Sequence, residues 1–325
     1  MVRRRSLTLA PLALLASAVP LAAAAQGFPD RQLKLVVGFP PGTGPDIVAR
    51  TVGQKLGDTL KQTLVVDNRA GAGGQIAAQA VAKSPADGYT LLLGEVGSIS
   101  IAPATYSKLP YDPAKELMPV TEVVRSDFIL VVPAQSAAKD VKGFVGTAAG
   151  RPDRVNFATF GAGTPGHFGA EVFAEQGGFK IEPVHYRATG DAITALVSGD
   201  VQAAFVTTAL AVPQVKAGKL RALATTAQAR SPLLPEVPTF AESGLPKVDF
   251  SAWFALFAPA GTPAPVLDAL QRGAVASLQA PDVKKLLQDA GFTVTGTSRA
   301  DSEQMLKSET ARWAAVVKAT GFKAD

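Results

Sequence analysis

The stretch "LKLVVGFPPGTGPDIVARTVGQKLGDTL", residues 33–60, decides the fold. It begins as an unbroken apolar run, the mark of a strand covered on both faces. "PPGTGPD" (residues 40–46) interrupts that run, and Val48, Val52, Leu56 and Leu60 then recur on one helical face. The plan repeats at once. "LVVDN" (64–68) is a strand, "RAGAGG" (69–74) a breaker, "QIAAQAVAKS" (75–84) a helix, and "SPADG" turns the chain into a third strand, "YTLLLG" (89–94). Strands alternating with helices at this spacing run parallel and are joined by right-handed crossovers. Both glycine-rich breakers then fall on the carboxyl edge of one sheet, where such sheets bind ligands.

The middle of the chain follows the same plan. "MPVTEVV" and "FILVVP" form a long β stretch interrupted by "RSD" (125–127), which reads as a crossing between two lobes. "VNFATF", "GAGTPG", a helix, "IEPVHYR", the helix "ATGDAITALVSG", and the strands "VQAAFVT" and "KLRALATT" build the second lobe. "DFSAWFALFAP" carries the chain back as a second crossing strand, and three helices close the sequence. Pro263, Pro265 and Pro281 stand near two of those helix starts, where proline is tolerated. The expected architecture is α/β with two lobes, each a mainly parallel sheet flanked by helices. Residues 27–125 and 251–325 form one lobe and residues 126–250 the other.

The first 25 residues stand apart. Arg3, Arg4 and Arg5 precede an apolar run that ends in small residues at Ala23, Ala24 and Ala25, the layout of a cleaved export signal rather than a membrane anchor. "RRSLT" resembles a twin-arginine signal only loosely. The formal charge of +5 is therefore partly a targeting effect: beyond the leader 29 basic residues face 27 acidic ones, a net of +2. No basic run with interleaved aromatics follows, which argues against nucleic acid as a partner. The absence of cysteine excludes a lipid-anchored lipoprotein, and a chain this long builds its core without disulfides. A soluble periplasmic protein fits best.

"GAGTPG" (161–166) matches the dinucleotide fingerprint G-x-G-x-x-G, between a strand-like and a helix-like segment. The nucleotide reading fails on two details. Glu182, the acidic residue about 20 positions on, stands at the start of the second strand, whereas a ribose needs it at the carboxyl end. Pro165 fits the first position of a helix, with Thr164 as its N-cap. What survives is a set of free amides and the positive end of a helix dipole beside Gly163 and Thr164. Gly42, Thr43 and Gly44 repeat the device in the first lobe, with Asp46 as the cap of its helix. Facing each other across a cleft, the two would hold a small carboxylate without an arginine; taken singly, each is an ordinary capping turn. "GAGG" (71–74) lacks the Lys-Ser/Thr of a phosphate loop and reads as a tight turn.

At these residues the chain resembles the solute-binding receptors of tripartite tricarboxylate transporters, often called Bug receptors. The resemblance is spread over "VVGFPPGTGPDIVAR", "DNRAGAGGQIAAQAVAKSPADGYTLLLG", "KLPYDPAKELMPVT", "FATFGAGTPGHFGAE", "AGKLRALATT", "RSPLLPEVPTFAESGLP" and "WFALFAPAGTP", in order and along nearly the whole chain. It implies a type II periplasmic-binding (Venus flytrap) fold, capture of a small organic carboxylate, and delivery to a membrane permease. It also implies that backbone amides and bridging waters of two loops hold the carboxylate; these match residues 39–43 (Phe39, Pro41, Gly42, Thr43) and 163–167. The family usually reads "PPGGPTD", so Thr43 adds bulk and a hydroxyl where a ligand would approach. Ser98 is the polar group left in a segment that often carries asparagine and threonine. Glu95 is unusual there. It reads first as a solvated strand-end acid; facing the cleft, it would disfavour a second carboxylate or pair with a ligand amine.

Other residues complete the expected site. His167 supports the second loop, Tyr186 offers a polar-tipped aromatic, and Thr207 and Thr208 offer hydroxyls at a strand end. Phe39 packs on the ligand or in the core. His167 and His185 lie too far apart in sequence, with no H-x-x-x-H or cysteine nearby, to suggest a metal. No cofactor is expected, and no G-x-S-x-G, H-E-x-x-H or cysteine nucleophile points to an enzyme. Two rivals remain: the same fold presenting its closed form to a sensor kinase, and an α/β enzyme acting on a carboxylate. A monomer is expected.

Overall fold

The structure, a computed structural model, describes residues 27–186 and 188–324; the expected leader lies outside the described residues. The opening stretch forms β1 (Leu33–Val37) and α1 (Gly44–Leu60), followed by β2 (Leu64–Asn68), α2 (Gln75–Ala82) and β3 (Thr90–Glu95). The strands pair in parallel with β1 in the middle. The helical face works as its periodicity requires: Val48, Val52 and Leu56 are buried and Leu60 is half-buried. Each such side chain, fully removed from water, contributes roughly 1.5–3 kcal/mol.

A π turn at Gly97–Ile101 leads into α3 (Ala102–Thr105), and α4 (Pro113–Glu116) precedes β4 (Leu117–Pro133). The second lobe contains α5 (Val141–Ala149), β5 (Val155–Thr159), α6 (Pro165–Gly177), β6 (Ile181–His185), α7 (Thr189–Ser198), β7 (Ala203–Thr207), α8 (Thr208–Lys216) and β8 (Leu220–Thr225). The chain returns through β9 (Ser251–Pro259), α9 (Ala264–Gln279), α10 (Pro281–Asp289), β10 (Thr293–Val294) and α11 (Arg299–Thr320).

β4 unites the two sheets. Its first part, up to Asp127, pairs antiparallel with β9; from Phe128 onward it pairs with β7 and β8. The polar "RSD" does not interrupt it. Arg125 is held by Glu122 on the same strand, with Nε 2.5 Å from Oε1, so its charge is neutralised locally. The return differs from the expectation of two crossing strands. Residues 248–250 pass between the lobes as coil, and β9 starts only where Ser251 meets Asp127. Both sheets are mixed, because β4 and β9 add antiparallel pairs beside the parallel strands that the βαβ pattern dictates.

The second lobe packs around phenylalanines: Phe173, Phe205, Phe240 and Phe250 are buried, with the Phe205–Phe250 ring centres 5.0 Å apart. The last helix belongs to neither lobe alone. Thr310 meets Ser100 hydroxyl to hydroxyl at 3.0 Å, while Trp313 packs against Phe168 of α6.

Candidate functional site

The two glycine loops are built alike. In each, a glycine precedes the N-cap with a φ that only glycine adopts freely, +80° at Gly42 and +74° at Gly163. In each, the third helical residue reaches back to that glycine's amide. Gly42 N–H donates to Asp46 Oδ2 at 2.8 Å, and Gly163 N–H donates to His167 Nδ1 at 3.1 Å. This resembles the backward half of a capping box, moved one residue earlier and supplied by Asp and His instead of the usual Glu or Gln. Thr164 is the N-cap of α6 as expected: its hydroxyl oxygen accepts from His167 N–H, and Pro165 opens the helix. In α1 the N-cap position belongs to Thr43, not Asp46. Asp46 is instead a buried clamp, accepting also from Arg50 Nε and Asn68 Nδ2 at 2.9 Å each.

A cavity of about 340 Å³ lies between the lobes. Phe39, Ala72, Gly73, Glu95, Gly97, Ala102, Thr105 and Tyr106 line it from the first lobe, and Phe128, Ala162, Gly163, Thr164 and Pro165 from the second. Gln75, Ile101, Ala252, Phe254 and Ala324 complete it. The amides of Thr164 and Gly166 donate to no partner among the described residues, as the first-turn amides of a helix do until something caps them. They present donors and the positive end of α6 to this side of the molecule.

Of the residues expected at the site, the cavity gathers Phe39, Gly163 and Thr164. Pro41, Gly42, Thr43, Gly44 and Asp46 do not line it, and the Thr43 hydroxyl donates to Pro40 O at 2.7 Å within its own loop. Ser98 is buried beneath the wall, with its hydroxyl turned to Glu95 O. Tyr186 packs with Phe160, Val184 and Ile193 on a separate hydrophobic cluster. Thr207 occupies the N-cap position of α8, without a side-chain capping bond. Thr208 donates to Asp127 O at 3.2 Å and lines a different cavity, of about 410 Å³, with Arg125, Asp127 and Phe292.

Glu95 is not a solvated strand end. It is 8% exposed, and its two oxygens accept from Gly97 N–H and Ser98 N–H at 2.7 Å each. Burial pushes its carboxyl above the ordinary range, while those two amides pull the other way. Burial also drives His167 down to about 4, helped by neighbouring His185, so His167 is a neutral acceptor at neutral pH. The fold brings the two histidine rings to 4.8 Å, which their sequence separation concealed. His185 Nδ1 is engaged with the Thr159 hydroxyl at 2.6 Å, and no group of three potential metal ligands exists among the described residues. Sequence reasoning missed Phe128, Phe254, Thr105, Tyr106 and Ala324. The phenylalanines carried a usable signal, since both stand beside the inter-lobe crossing.

Two α/β lobes sharing one strand and closing on a cavity define a solute-binding protein of the Venus flytrap type. The sequence profile of the tripartite tricarboxylate transporter family receptor matches residues 48–322. Protein BugT of Bordetella pertussis is 34% identical over 300 residues, covering 92% of each chain. The R. palustris protein Rpa4515, solved with adipate, superposes with a TM-score of 0.80 at 33% identity, over 91% of this chain and 99% of that one. MatC from Rhodopseudomonas palustris, solved with bound malate, gives 0.76 at 33% identity, over 89% and 100%. The chain belongs to the tripartite tricarboxylate transporter receptor family.

Proposed function

We propose that this protein captures a small organic carboxylate between its lobes in the periplasm and delivers it to a tripartite tricarboxylate-type membrane permease. The observation that carries the reading is the inter-lobe cavity, where unpartnered amides at the start of α6 meet a wall supplied by the other lobe. A carboxylate placed there gains charge-assisted hydrogen bonds, about twice as strong as neutral ones, once closure excludes water. The ligand touches both lobes only in the closed form, so binding and closure are one equilibrium. Adipate and malate in two similar receptors support the ligand class. The leader sequence supports export, and family membership supports the permease as recipient. Membership of a receptor family supports binding rather than turnover.

The test is a thermal-shift screen against a panel of carboxylates, followed by calorimetry. A ligand at a hundredfold excess over its Kd stabilises by about 2.7 kcal/mol. Gly163→Val puts a branched side chain where φ is +74°, at a residue that lines the cavity and against the Phe322 ring, 3.6 Å from its Cβ. It is expected to abolish the shift while the circular dichroism spectrum stays native. Unchanged affinity in this variant would remove the carboxylate from the α6 loop.

A further inference from the structure

Glu95 is the only charged side chain lining the inter-lobe cavity among the described residues. Its position is fixed. The amides of Gly97 and Ser98 hold one oxygen each, and a Cβ at Gly97 would come within 2.9 Å of Oε1, so that wall is already filled by the carboxylate. No arginine, lysine or histidine is hydrogen-bonded to it or paired with it among the described residues. A carboxylate has about four lone-pair sites, and two backbone amides occupy two of them. A buried acid without a counter-charge is costly and accepts a cation or a strong donor readily. The same acid repels a second anion, and a second carboxylate would also find the Gly97 and Ser98 amides already taken.

Building on the carboxylate reading above, we propose that Glu95 makes this receptor select zwitterionic acids. The ligand's carboxylate lies on the free amides of α6, and its ammonium group lies against Glu95 on the facing lobe. The ligand class is an amino acid or ω-amino acid, and plain dicarboxylates are rejected. One group from each lobe, the main-chain amides of α6 and the Glu95 carboxylate, then reads each end of the ligand. Specificity of this kind arises as much from repulsion of the wrong ligand as from attraction of the right one.

The experiment uses the full mature protein and matched ligands that differ only at the far end. One set is 5-aminopentanoate, hexanoate and adipate; a shorter set is 4-aminobutyrate, pentanoate and glutarate; α-amino acids and their deaminated analogues form a third. Calorimetry is expected to give at least about tenfold tighter binding of the ammonium-bearing member in a set, or about 1.4 kcal/mol. In Glu95→Gln that preference is expected to vanish, with the diacid gaining affinity. Glu95→Ala provides a second variant, and the thermal midpoints of both without ligand establish that they are folded. Diacids binding wild type as tightly as their amino counterparts, or a preference unchanged in both folded variants, overturns the inference. In that case loss of carboxylate binding in Gly163→Val still upholds the receptor reading. Failure of every carboxylate, with or without an amine, defeats both.

Discussion

At His167 one imidazole does two jobs: its Nδ1 holds the Gly163 amide, and its ring fills the space between His185 and Phe322. Only the neutral ring can accept that bond. With its pKa lowered from 6.5 to about 4 in the folded protein, unfolding takes up a proton anywhere between those values. The stabilisation is therefore complete above about pH 6.5, fades as the pH falls toward about 4, and changes no further below it. A fall of up to about 3 kcal/mol is expected across the window. Thermal melts at pH 7 and pH 4.5 measure it, and His167→Gln should shrink the difference between them; an identical difference in the variant would place the acid sensitivity elsewhere. The capping chemistry at Thr164 and Pro165 was readable in the sequence because it is settled within one turn of chain. The direction of Glu95, and the departure of Thr208 and Tyr186 from the expected pocket, were not. They depend on which face of a strand end meets the other lobe, which no local pattern encodes.

β4 is the element on which both sheets depend, and its weak point is a charge. Glu122 is 2% exposed, and Arg125, on the same strand, neutralises it. Burial pushes the Glu122 carboxyl up, and Arg125 opposes that. Removing the arginine leaves a buried acid with no counter-ion beside the β4–β9 pairing, so Arg125→Ala is expected to cost about 3 kcal/mol. Pairing it with Glu122→Gln should recover much of that loss in chemical denaturation, because the uncompensated charge goes with it. Additive losses in the double variant would show that the pair is not coupled. This ion pair also explains why the strand was harder to read than its neighbours. The alternating strands and helices from Leu33 to Gly94 carry a hydrophobic period that survives in isolation. "RSD" resembles a break unless one knows that Glu122, three residues earlier, answers Arg125. The coil return at residues 248–250 was hidden for a related reason: "DFSAW" has strand composition, but Phe250 is spent on the aromatic core and its carbonyl accepts from the Thr226 hydroxyl rather than from a strand partner.

Closure of the entire receptor depends on what spans the gap between the lobes, and besides β4 the chain's end does so. After α11, Phe322 packs its ring on His167 and Phe168 of the second lobe, with centres 5.2 and 5.6 Å away. Two residues later Ala324 N–H donates to Thr105 O of the first lobe at 2.9 Å, beside the cavity. These contacts join opposite lobes and exist together only when the lobes are near one another. They add to the closed state without belonging to either core, so losing them should move the open–closed balance more than the folding balance. A chain ending at Gly321 is expected to lose about 1–2 kcal/mol of stability, the value of one half-buried aromatic ring with its two ring contacts and a hydrogen bond. Its ligand affinity should fall by several-fold to about tenfold, because closure must then be driven by the ligand alone. Small-angle scattering of the ligand-free shortened protein should show a larger radius of gyration than the full chain, and saturating ligand should bring the two together. Equal radii without ligand, along with equal affinity, would mean that the tail merely rests on a receptor held closed by other contacts.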